Sequence, residues 1–101
     1  MSITQTHIFS PAIGEEGFVS FPAWIATLPA DQLAAATAGL AAQVAVIDKH
    51  LASGKIVSQD GGHIIWAADS DAERFEVDPV FKAYFDRYTT ESGTTHTLTV
   101  S

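Results

Sequence analysis

The sequence contains no cysteine and few basic residues, and each shortage excludes a class of function. Without cysteine the chain has no disulfide, no thiol nucleophile and no thiolate metal ligand, so burial of apolar side chains must hold the fold together. Only 5 lysines and arginines stand against 12 acidic residues, which gives a formal net charge of −7. Because a surface of that sign repels phosphate backbones and anionic lipid headgroups, we expect no nucleic-acid partner and no membrane partner.

Long apolar runs are missing as well. Residues 1–11 show neither the basic segment nor the apolar segment of a secretory signal. The longest apolar-rich stretch, Leu33 to Ile47, is interrupted by Thr37, Gly39 and Gln43, and we take it to be too short to span a bilayer. We therefore expect a soluble cytoplasmic protein, or a protein of the virion or host cytoplasm if its source is a virus.

Apolar material for one folded core is nevertheless present. Hydrophobic residues make up 47% of the 101 residues and aromatic residues 10%, which is enough for a real core in a chain of this length. The sequence contains no repeat and no linker-like segment. We therefore expect residues 1–101 to form a single domain.

Four segments have the composition of β-strands. The segment Ser2 to Phe9 is rich in β-branched residues. The segment Thr94 to Val100 alternates threonines with larger side chains, as a half-buried strand does. Two shorter runs, Lys55 to Gln59 and His63 to Ala68, flank Asp60-Gly61-Gly62, whose glycines accept the positive φ that hairpin turns require. These patterns predict a first strand, a central β-hairpin and a C-terminal strand.

The segments between these strands have helical patterns. Apolar residues spaced by three and four predict a short helix from Pro22 to Thr27, with the proline in its first turn. A long alanine-rich helix is predicted over about 30–53, and a second main helix over about 79–90 after an Asp-Pro start signal. A capping-box pattern at 70–73 predicts one further helical turn before it.

The order of the elements predicts an α+β fold. With the short helices set aside, the order is the β-α-β-β-α-β series of a ferredoxin-like sandwich, in which a four-stranded antiparallel sheet carries two main helices on one face. The first and last strands are neighbours in that topology. We therefore expect Ser2–Phe9 to pair with Thr94–Val100.

Histidines are the candidates for acid–base or metal chemistry. None of His7, His50, His63 and His96 lies three or four residues from another, so the chain has no helical metal-binding pair and we expect no metal site. Pairing of the first and last strands could bring His7 and His96 together, and the alternative is that one is a strand residue on a solvated face and the other a boundary residue. If the protein is an enzyme, we expect His63, His96 and Tyr84 to carry the chemistry. A histidine at a hairpin edge, such as His63, is more often a solvated strand residue.

Other familiar motifs are absent. The acidic cluster Asp69, Asp71, Glu73, Glu76 and Asp78 lacks the glycine and the terminal glutamate of a calcium loop. The sequence also has no phosphate-binding glycine loop, no dinucleotide-binding fingerprint and no serine-nucleophile motif. We therefore expect no cofactor and favour a non-catalytic role.

The aromatic residues are more numerous than a domain of this size must bury. They predict an exposed patch, and the alternative that all of them belong to the core stays open. The patch candidates are Phe18, Phe21, Trp24, Trp66 and Tyr88.

Three functions fit these observations. The first is an acidic interaction or structural module that self-associates or docks on a larger protein assembly, with a homo-oligomer expected. The second is a dimeric α+β-barrel enzyme that binds a small apolar ligand in an interior pocket. The third is an acidic inhibitor that mimics nucleic acid, which only the net charge of −7 favours.

Overall fold

The structure, a computed structural model, describes residues 3–60, 63–68 and 76–101, which form one strand, two helices, two strands, one helix and a last strand in that order. The strands are β1 (Ile3–Ser10), β2 (Ile56–Gln59), β3 (His63–Trp66) and β4 (Thr95–Val100). The helices are α1 (Phe21–Ile25), α2 (Ala30–Ala52) and α3 (Pro79–Glu91). Each strand and helix predicted within the described ranges is present, with ends shifted by only one or two residues.

Some predicted features cannot be compared with the structure. The helical turn at 70–73 lies outside the described residues. So do the hairpin glycines and part of the acidic cluster, namely Gly61, Gly62, Asp69, Asp71 and Glu73.

The four strands form one open antiparallel sheet in the order β2-β3-β1-β4. β1 is central: Gln5 lies opposite Ile64 of β3, and His7 lies opposite Leu98 of β4. The first and last strands are therefore neighbours, as the sequence predicts. The fold is α+β, with three helices in the described part of the chain.

The two faces of the sheet differ in composition because side chains alternate along each strand. The inner face packs toward the helices and carries mostly apolar and aromatic side chains. Its central members are Gln5, His7, Phe9, Ile64, Trp66, His96 and Leu98. The outer face carries Thr4, Thr6, Ile8, His63, Ile65, Thr97 and Thr99. No helix among the described residues covers this outer face.

Local hydrogen bonds fix where two helices begin. The Ser20 hydroxyl accepts a hydrogen bond from the Ala23 amide at 3.2 Å at the start of α1. At the start of α3 the Asp78 carboxylate accepts bonds from the Val80 and Phe81 amides, each at 3.0 Å. Such caps satisfy amides that have no partner within the helix, so they set the first turn of α3 and the direction of its side chains.

The long helices α2 and α3 pack closely at Gly39. A Cβ atom placed on Gly39 would lie 2.8 Å from the Phe81 backbone nitrogen and 3.0 Å from Val80 Cγ1. Only a residue without a side chain allows this approach. Gly39 and the buried Ala36 therefore bring the two helices together over the sheet.

The buried side chains form two clusters. The larger joins α1, α2 and α3 and contains Phe21, Trp24, Ile25, Ala36 and Tyr88, with the Tyr88 hydroxyl donating to the Val19 carbonyl. The smaller joins β2 and β3 and contains Ile56, Ile64 and Trp66. Between the two clusters the inner face of the sheet is not filled, and this gap is where the candidate site lies.

Helix α2 corrects one expectation about length. Its 23 residues are long and apolar enough to cross a membrane by length and composition alone, whereas the interrupted stretch Leu33 to Ile47 was expected to be too short. One side of the helix packs on α3 and β2 and buries Ala36, Gly39, Gln43 and His50. Core helices of soluble proteins pass the same test of length and composition, so this feature assigns no location.

Candidate functional site

A cleft of about 400 Å³ lies between the inner face of the sheet and helices α2 and α3. Its walls are largely apolar. They include Phe9, Ile47, Ile64, Phe81, Phe85 and Leu98. Pockets that hold small molecules have this size and character, with a small number of polar groups that orient the ligand.

Two histidines supply the central polar groups of the cleft. His7 Nδ1 and His96 Nε2 lie 2.8 Å apart, and the two rings stack with their centroids 5.1 Å apart. Strand register produces this contact, because His7 faces Leu98 and His96 faces Phe9, which makes the histidines diagonal neighbours on the same face. The sequence offered this meeting as one possibility, from the predicted pairing of the first and last strands.

The second nitrogen of each ring remains available. His7 Nε2 and His96 Nδ1 have no hydrogen-bond partner among the described residues, yet neither belongs to the polar atoms that are buried without a partner. Both rings line the cleft. The two outer nitrogens are therefore not fully buried, and the His96 ring also borders a second pocket beside Asp86 and Thr95.

Burial lowers the pKa of both rings. For His7 the main cause is desolvation, and the charges of His96 and His63 lower the pKa further. Desolvation also lowers the pKa of His96. Because an unperturbed histidine has a pKa of about 6.5, the lowered values make both rings neutral at physiological pH.

Aromatic rings hold His96 in place. The centroid of Phe9 lies 5.1 Å from that of His96, and the centroid of Phe85 lies 5.2 Å away at an interplanar angle of 86°. Phe81 stacks on Phe85 with centroids 5.4 Å apart. Aromatic side chains therefore form much of the wall of the cleft around His96.

Gln43 links α2 to the segment that leads into α3. Its Nε2 donates to the Glu76 carbonyl at 3.1 Å, and its Oε1 accepts from the Asp78 amide at 2.7 Å. The side chain is buried and lines the cleft. In the sequence, Gln43 stands out only as an interruption of an apolar run. A lone amide in such a run is the signal that could have identified it as a buried hydrogen-bonding residue.

Charged residues lie on the lining of the cleft. Lys82, Asp86 and Asp60 belong to the lining. Lys82 Nζ lies 2.8 Å from Asp86 Oδ2 on α3, and Asp60 Oδ1 lies 3.2 Å from Nδ1 of His63, which is outside the cleft. All four side chains are more than half exposed, so these pairs contribute little to stability. They mark the boundary between the apolar cleft and solvent.

The three residues expected to act in an enzyme do not meet in one place. His96 lies in the cleft, whereas His63 is exposed on the outer face of the sheet and its backbone amide donates to Asp60 at 2.9 Å. Tyr84 packs on the helical cluster, with the Arg87 guanidinium 5.6 Å from its ring centroid. His7, rather than His63 or Tyr84, is the partner of His96.

The aromatic patch candidates are mostly core residues. Phe21 and Trp24 are 8% and 6% exposed, and Trp66 and Tyr88 are fully buried. Phe18 is partly buried and packs edge-on against Phe9. Their side chains meet one another or the sheet, so the four buried residues are not available as a surface patch on this chain.

In the described part of the chain, His50 and the carboxylates do not form a metal-binding cluster. The His50 ring is buried, and its centroid lies 5.4 Å from the centroid of the Trp66 ring. Its Nε2 lies 4.0 Å from a Glu76 carboxylate oxygen. Within the described ranges, no group of three or more histidine, aspartate or glutamate residues could hold a metal ion.

The comparisons with known proteins give no relative. No protein-family model, no curated protein and no solved structure matches the chain.

Proposed function

We propose that this protein binds a small, flat and largely apolar molecule in the cleft between its sheet and its two long helices. The observation that carries the proposal is the pair of neutral histidines, 2.8 Å apart, within a cleft of about 400 Å³ whose walls are mostly apolar. Apolar walls supply affinity by excluding water, and a few polar groups orient the bound molecule.

The chemistry of the cleft narrows the class of ligand. Each neutral imidazole has one donor and one acceptor, and the bond between the rings uses one of each. The pair therefore offers one donor and one acceptor, which suits a hydroxyl or a carbonyl group rather than a strong acid. The aromatic side chains of Phe9, Phe81 and Phe85 line the same space. An aromatic molecule that carries one oxygen substituent fits both features.

Titration with β-naphthol tests this proposal. We expect saturable binding, with the largest NMR shifts at Phe85, His96 and Leu98. Leu98→Trp should fill the cleft and weaken binding at least tenfold. The control is Val57→Trp on β2, because Val57 is 61% exposed and does not line the cleft. Equal binding by both variants would refute the assignment of the cleft.

The order of the strands also supports a proposal about the oligomeric state. The order β-α-β-β-α-β, with β1 between β3 and β4, fits a ferredoxin-like sandwich. Dimeric α+β barrels join two such sheets face to face, and the threonine-rich outer face here is uncovered in the described part of the chain. On this proposal the protein is a homodimer with one ligand cleft in each subunit.

A second candidate function is an interaction module that has no ligand. The specific observation in its favour is the uncovered outer face, where Ile8 is 48% exposed among threonines. Sedimentation at several concentrations tests whether this face joins two copies. Ile8→Lys should abolish the dimer, whereas Val44→Lys, at a position 47% exposed on α2, should leave it intact. Dissociation by both variants or by neither would exclude the outer face.

A further inference from the structure

The hydrogen bond between His7 and His96 constrains what the pair can present to a ligand. A neutral imidazole carries one N–H group and one nitrogen lone pair. The bond between Nδ1 of His7 and Nε2 of His96 uses one N–H group and one lone pair. Whichever ring donates, the two outer nitrogens together keep one N–H group and one lone pair.

A single half-buried histidine would be a weakened base in this cleft. To accept a proton it must become a cation, and burial among apolar side chains disfavours that form, as the lowered pKa of both rings indicates. A hydrogen-bonded pair avoids this cost, because a proton that enters at one outer nitrogen can be balanced by a proton that leaves at the other. Both rings then end neutral, with their tautomers exchanged.

We propose that His7 and His96 act as one proton relay that removes a proton from an acidic C–H or O–H group of a ligand bound in the cleft. The inference rests on the ligand cleft proposed above. It adds a reaction to that binding function and assigns the ligand class, which is a flat apolar molecule such as an enolisable aryl ketone or a phenol.

The proton transfers balance within the pair. The C–H or O–H bond of the ligand breaks, its electron pair stays on the ligand, and a new N–H bond forms at the outer nitrogen that carries the lone pair. The proton of the inner hydrogen bond moves to the other ring. The N–H bond at the second outer nitrogen breaks and releases its proton to water. The first outer nitrogen, now an N–H group, donates a hydrogen bond to the new anion.

Other titratable groups near the pair set its working range of pH. Lys82 and Asp86 of α3 and Asp60 after β2 line the same cleft, and the charge of His63 on β3 acts on His7. Lys82 and Asp86 neutralise each other as an ion pair. The relay therefore operates where His7 and His96 are both neutral, and the lowered pKa of each ring places that range above about pH 6.5.

Hydrogen–deuterium exchange of β-tetralone tests the relay. This flat aromatic ketone has an acidic methylene group between its ring and its carbonyl, and the loss of that proton NMR signal in heavy water reports deprotonation followed by return of a solvent deuteron. At about pH 8 we expect the wild-type protein to raise the exchange rate at least tenfold over buffer, because positioned acid–base groups contribute about 10²–10⁴-fold.

Variants distinguish a relay from a single base. We expect His7→Asn and His96→Asn each to lose about tenfold or more, and the double variant to lose no more than the worse single variant. Val57→Asn, at a position that is 61% exposed and does not line the cleft, should keep the wild-type rate. If either His7→Asn or His96→Asn keeps the rate, one histidine acts alone and the relay is wrong.

Two further measurements keep the outcomes separate. Saturable shifts of β-tetralone without exchange would overturn the relay and leave the ligand cleft intact, whereas no saturable binding would overturn both. If a variant does not fold, the imidazole nitrogen shifts of the wild-type protein decide. The relay requires values averaged between the two tautomers in both rings, and one fixed tautomer in each ring would refute it.

Discussion

Replacement of Gly39 by alanine tests how closely α2 and α3 must approach, because two opposing effects meet at this position. Alanine in a helix interior is favoured over glycine by about 1 kcal/mol. The added Cβ would lie 2.8 Å from the Phe81 backbone nitrogen and 3.0 Å from Val80 Cγ1, closer than ordinary van der Waals contact. The Val80 side chain can rotate away, whereas the backbone of Phe81 can move only with the helix.

The steric effect should prevail. Overpacking of a close contact costs about 1–3 kcal/mol, and a backbone contact belongs at the upper end of that range. After subtraction of the gain in helix propensity, Gly39→Ala should lower the free energy of unfolding by about 1–2 kcal/mol. For a chain of this size the corresponding fall in Tm is roughly 5–15 °C.

Urea denaturation measures the effect, and the matched control is Ala38→Gly. Ala38 is the exposed neighbour of Gly39 in the same helix, so the control isolates helix propensity and should cost about 1 kcal/mol. A stability of Gly39→Ala equal to or above that of the wild-type protein, alongside the expected loss for Ala38→Gly, would show that the two helices do not need the close approach.

Three other changes give further checks. Because burial lowers the pKa of His7 and His96, the unfolded chain binds protons first below about pH 6.5. The free energy of unfolding should therefore be highest above that pH and fall below it, by less than about 1.4 kcal/mol per pH unit for each partly exposed ring. A urea midpoint that does not change with pH would contradict this. Gln43→Leu leaves the Glu76 carbonyl and the Asp78 amide without their partner and should cost about 2 kcal/mol in the same assay, whereas an unchanged midpoint would exclude the link. Asp78→Ala removes the α3 cap and should cost about 1 kcal/mol, while Asp78→Asn should retain most of the stability; equal losses would contradict a capping role.

The sequence predicts the site where local patterns control it. The order of the elements was enough to predict that the first and last strands pair, and with it the possibility that His7 and His96 meet. Cap and turn residues were enough to place the ends of α2 and α3 within one residue. These features depend on neighbours in sequence or on the pairing of two strands, so the distribution of residue types along the chain is enough to predict them.

The rest depends on contacts between distant segments. His63 was named beside His96 as a candidate catalytic residue, because alternation shows which residues share a face of the sheet but not which face meets the helices. The aromatic patch was predicted because composition does not show that α1 folds across α2 and α3 and encloses Phe21, Trp24 and Tyr88. Gln43 was missed because its partners lie 33 and 35 residues away.

The strand register that gives the fold also specifies the site. In β4, Thr95, Thr97 and Thr99 alternate with His96 and Leu98, so a slip of one residue against β1 would turn every threonine inward and both larger side chains outward. That slip would remove His96 from Phe9 and Phe85 and place hydroxyls against the apolar wall, where a polar group without a partner costs about 1–3 kcal/mol. The apolar walls and the histidine pair therefore select the same register. A substitution that weakens this register should loosen the His7–His96 contact before it unfolds the chain.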